Sequence, residues 1–143
     1  QSFGKFMTDV MDRADKLSFE KSGRPLSDKY EAPTTILKMI GSITDTGWES
    51  FISLYSQLIS RGSYFLFAGV LGSWITSALG LLVSSSLMYW GGQESIKLLY
   101  SNKGIVEAVK RIGERYKSHF DSCSSDEEKG NLANRAANDL YNL

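Results

Sequence analysis

Cysteine occurs once in these 143 residues, at Cys123, histidine once, at His119, and proline twice, at Pro25 and Pro33. A single cysteine excludes an internal disulfide and leaves the redox compartment undetermined. His119, Asp121 and Cys123 fall within five residues. A closed structural metal site takes four ligands, however, and there is no second histidine or cysteine to complete one. A Cys/His nucleophile pair would need both groups within reach in a pocket, whereas these two stand at a helix end beside a polar loop. Both prolines lie in one early segment, so long helices can form everywhere else.

Charge of one sign is lacking too. Sixteen basic and sixteen acidic side chains cancel, and no basic stripe interleaved with aromatics appears, so no nucleic-acid partner is expected. Phosphate-cradling loops are missing, because the chain's densest glycines have no strand before them and no lysine after them. The acidic groupings read as structure: Asp126, Glu127 and Glu128 open a helix, and Asp9, Asp12 and Asp15 form a solvated face. No catalytic set, metal site or cofactor is expected, and the chain reads as non-enzymatic. The opening residues show no signal-like order of basic, apolar and small parts.

The most informative absence is local. From Gly62 to Gln93, thirty-two consecutive residues carry no charged side chain. As helix, the stretch from Tyr64 to Trp90 covers roughly 40 Å at about 1.5 Å per residue, which spans a bilayer's hydrocarbon core of about 30 Å. Residue type changes with depth as a bilayer requires: Tyr64, Phe65 and Phe67 stand at one end, Tyr89 and Trp90 at the other. Ala68, Gly72, Thr76, Gly80 and Ser84 recur every fourth position, a small-residue stripe on which another helix can pack closely. Leu66, Val70, Leu81 and Met88 mark the opposite, bulky face. A single membrane-spanning helix is the leading expectation. The alternatives are a buried helix or hairpin inside a soluble bundle, with Gly80 or Ser84 to Ser86 breaking the run, and insertion only after a trigger.

The flanks predict amphipathic helices. Phe3 to Leu17 places Phe3, Phe6, Met7, Val10, Ala14 and Leu17 on one face, opposite the four-apart pairs Asp9–Arg13 and Asp12–Lys16. Residues 18–33 read as an irregular connection and 34–43 as a short apolar helix. Thr46 to Glu49 is a capping box, followed by Trp48, Phe51, Ile52, Tyr55, Leu58 and Ile59 at helical spacing. Trp48 and Tyr55 are expected as membrane-interface anchors together with Tyr64, Tyr89 and Trp90. An ordinary core-packed helix fits the same pattern. Beyond the run, helices are expected over 93–100, over 105–120 with Ile105, Val109, Ile112, Tyr116 and Phe120 as its seam, and over the tail from Ser124 and Ser125 onward.

The sequence thus predicts an all-α chain in three regions: 1–62 amphipathic, 63–92 spanning, 93–143 helical. Between residues 91 and 120 six basic residues face three acidic ones, whereas 43–63 holds only Arg61. The positive-inside bias then puts the C-terminal side in the cytoplasm, matrix or stroma. The expected function is a non-catalytic accessory subunit of a membrane complex, with membrane lipid and other subunits or further copies of itself as partners. A pore-forming protein and a soluble helical interaction module are the alternatives.

Overall fold

A computed structural model of the chain describes residues 2–61 and 93–143. Every described regular element is helical: α1 (Phe3–Ser22), a 3-10 turn (Leu26–Tyr30), α2 (Thr35–Thr46), α3 (Trp48–Arg61), α4 (Gln93–Ser101), α5 (Lys103–Ser122) and α6 (Asp126–Asn142). The all-α class is as expected. The expected spanning helix, 63–92, lies outside the described residues.

Helix ends follow local chemistry. Ser2 caps α1, its Oγ accepting from the amide of Lys5 at 3.1 Å. Nothing between Leu17 and Ser22 breaks a helix, so α1 runs five residues past the expected end. It stops at Gly23, whose φ of 71° is the left-handed conformation glycine adopts without Cβ strain and whose N–H reaches Phe19 O at 2.9 Å. The connection after it is shorter and more ordered than expected, because Asp15 Oδ1 accepts from Leu26 N at 2.9 Å and Leu26 is fully buried. Gly47 parts α2 from α3, and its carbonyl accepts from Phe51 N at 3.1 Å. Thr46 therefore closes α2 rather than opening α3. Ser125 caps α6 through Glu128 N at 3.2 Å, while the Glu128 carboxylate reaches back to Ser124 N and Oγ at 3.2 and 3.1 Å. That is the expected cap with the return contact moved one residue earlier.

Among the described residues the most extensive interface joins α1 to α6, near opposite ends of the chain, and α1 also packs along α2 while α5 packs along α6. Apolar positions spaced three and four apart converge there: Phe6, Met7, Val10 and Ala14 from α1, Ile36, Ile40 and Ile43 from α2, Val109 and Ile112 from α5, Leu132, Ala136 and Leu140 from α6. An aromatic cluster closes one end, with Phe3 edge-on to Trp48 (centroids 5.4 Å apart) and Phe6 beside Phe120 at 4.9 Å. Burying each large apolar side chain is worth about 1.5 to 3 kcal/mol, so this cluster is a main source of cohesion. Lys117 and Lys129 lay their ammonium groups over Phe3 and Phe120 at 4.9 and 5.0 Å, covering the rings while keeping charge near water.

The described helices on either side of the uncharged run thus share one core. Among the described residues no helix is long and apolar enough to cross a membrane. Helices α1 and α5, at twenty residues each, have the length. Their charged faces exclude the role.

Candidate functional site

Helix seams carry most of the specific chemistry of the described residues. Where α1 crosses α2, Thr8 Oγ1 lies 3.0 Å from Gly4 O and 3.2 Å from Gly41 O, so its one proton can serve a carbonyl on either helix. Thr44 Oγ1 donates to Gly41 O at 3.1 Å and stands 3.4 Å from the Thr8 hydroxyl. A Cβ built on Gly4 would overlap Thr44 O and sit 3.0 Å from Thr44 C. Small residues four apart on α1 and three apart on α2 therefore let two backbones approach closely. Sequence reasoning sought this pattern in the uncharged run and passed over Gly4–Thr8 and Gly41–Thr44, whose spacing carries the same signal. The stripe Ala68, Gly72, Thr76, Gly80 and Ser84 lies outside the described residues.

A second seam seats an indole. Trp48 rests on Gly113 of α5, where an added Cβ would overlap Cζ2 and Cη2 and lie 2.9 Å from Cε2. Its neighbours are Phe3 and, at 5.8 Å between centroids, Phe51. Tyr55, 2% exposed, donates its phenol to Glu107 Oε1 of α5 at 2.9 Å. Of the rings expected at a membrane interface, Trp48 and Tyr55 face the protein core, packed on Gly113 and Phe3 and bonded to Glu107. Tyr64, Tyr89 and Trp90 lie outside the described residues.

Electrostatics tie the remaining seams. Tyr116 donates to Asp139 Oδ2, which also lies 3.5 Å from Arg115, linking α5 to α6. Burial, then the hydrogen bond and the charge of Asp139, push the Tyr116 phenol up, with Arg135 and Arg115 opposing. Burial, then Glu107, push the Tyr55 phenol up in the same way. Each phenol stays a neutral donor at ordinary pH. Arg13 makes its expected pair with Asp9 at 3.0 Å and reaches across to Asn134 Oδ1 at 2.6 Å and Gly130 O at 3.3 Å on α6.

One open groove of about 560 Å³ runs between α1 and α2, with Lys5, Asp9, Asp12, Lys38 and Asp45 on its rim. Its lining carries charges of both signs, three acidic and two basic. Partial burial and then the Asp9 carboxylate raise the pKa of Asp12, with Lys16 opposing. At the end of α5, Cys123 Sγ turns to the His119 backbone carbonyl at 3.3 Å and not to the imidazole, while Asp121 pairs with Lys117 at 3.1 Å. The thiol and the carboxylate are thus engaged separately. Among the described residues no cluster of three or more His, Cys, Asp or Glu could hold a metal ion. No protein-family model matches the chain, and neither a curated protein nor a solved structure matches it.

Proposed function

We propose that the chain is a non-catalytic accessory subunit of a membrane protein assembly, held to the bilayer by its uncharged run. The observation that carries this reading is the thirty-two-residue stretch without charge, Gly62 to Gln93, set between helices that already close an extensive core with one another. A helical body with its own core does not need a further stretch of that length as filling, and lipid is the solvent that suits such a stretch. The Ala68, Gly72, Thr76, Gly80 and Ser84 stripe then serves as the face for a neighbouring subunit's helix, since close packing drives association where apolar contact alone does not.

Expressed in a host cell, the protein should remain in the membrane pellet under alkaline carbonate. Quantitative release as a monodisperse monomer without detergent would reject membrane residence and favour a soluble helical module. Replacing Gly72 and Gly80 by Leu should leave carbonate retention intact and abolish co-purification with the partner. Retention of the partner at the wild-type level would remove the stripe from the docking face.

A further inference from the structure

We infer that the two flanks of the uncharged run stay on one side of the membrane. The inference rests on the membrane reading above and goes beyond it in assigning topology. The single-pass arrangement expected from the sequence puts residues before the run in one compartment and residues after it in the other. The packing joins them instead.

Helices α1 and α3 and the turn after α1 are each tied to an element behind the run. Arg13 of α1 bonds Asn134 and Gly130 of α6 at 2.6 and 3.3 Å. Lys29, in the turn after α1, donates to Tyr141 O at 2.8 Å. Trp48 of α3 lies on Gly113, and Tyr55 of α3 bonds Glu107 at 2.9 Å. Placing the flanks on opposite faces would separate α1 from α6 and α3 from α5. It would expose Phe3, Phe6, Trp48 and Phe120 to water and strand the Tyr55 phenol from the Glu107 carboxylate.

The test needs one added thiol and no assumption about vesicle orientation. Lys16→Cys adds an exposed thiol on α1, and the native Cys123 reports on the segment after α5. The full-length variant is reconstituted into phosphatidylcholine/phosphatidylglycerol vesicles and treated with an impermeant maleimide. The vesicles are then opened and treated with a second maleimide of different mass. Intact-protein mass spectrometry should find molecules carrying two of the first label or two of the second. A majority carrying one of each would overturn the one-sided topology while leaving membrane residence standing. Release of the same sample by carbonate would instead overturn the membrane reading and the inference with it.

Discussion

Glycine-to-alanine changes at Gly113 and Gly130 should move stability in opposite directions, although both residues lie inside helices. In a helix interior alanine is favoured over glycine by about 0.8 to 1 kcal/mol, because glycine loses more backbone freedom on folding. At Gly130 a Cβ meets nothing within 4 Å, so most of that gain should be realised, about 0.5 to 1 kcal/mol. At Gly113 the same Cβ overlaps two indole atoms of Trp48, which is 7% exposed and hemmed in by Phe3 and Phe51. Overpacking of this kind costs about 1 to 3 kcal/mol. With three ring atoms inside contact distance the upper end applies, and subtracting the helix gain leaves a net loss of about 2 kcal/mol. That is roughly thirtyfold in the unfolding equilibrium, since 1.4 kcal/mol is about tenfold. Urea denaturation followed by far-UV circular dichroism, on the full chain in one detergent, reads both variants. Adding Trp48→Leu to Gly113→Ala should return part of the loss, because the smaller side chain vacates the volume the new methyl needs. If Gly113→Ala matches or exceeds the parent, or leucine at position 48 changes nothing, the indole does not rest on that glycine.

The remaining predictions concern hydrogen bonds. Tyr55→Phe should cost about 1 kcal/mol, the usual worth of a hydrogen bond to a side chain, measured by the same denaturation. The raised phenol pKa fixes the sign of its pH dependence. A group that ionises later when folded contributes fully below the unfolded value near 10, and that contribution is lost as pH rises toward the folded value. Stability of the parent should therefore fall from about pH 10 upward, and Tyr55→Phe with Tyr116→Phe should flatten that fall. An unchanged slope in the double variant would dissociate the phenols from the alkaline transition. Ser125→Ala removes the cap on Glu128 N and should cost about 1 kcal/mol. Ser124→Ala should cost less, because Ser124 N still donates to Glu128.

What could be read from residue order was local. The cap at Ser125, the seam of Ile105, Val109, Ile112, Tyr116 and Phe120, and the apolar face of α1 depend on neighbours three and four residues away. Such spacing is visible in a string of letters. The same spacing on α3 shows that Trp48, Phe51 and Tyr55 share a face but not what covers it. Lipid and protein both accept an aromatic stripe, and only the position of Gly113, sixty-five residues on, decides for protein. Glu107 was legible as a helix-surface acid. Its partner Tyr55 lies fifty-two residues earlier, and pairing at that range leaves no periodic trace. The union of the two flanks was hidden for the same reason. The uncharged run interrupts the pattern between them, and their shared core is a property of three dimensions.

The pairing of α1 with α6 also sets a clock on biosynthesis. Ser22 ends the first helix and Asp126 begins the last, so about a hundred residues must be added before the main partner of α1 exists. At about 5 to 20 residues per second this takes roughly 5 to 20 seconds. The uncharged run leaves the ribosome within that interval, ahead of α5 and α6. It therefore emerges while the helices that will enclose Phe6, Val10 and Ala14 are still unmade.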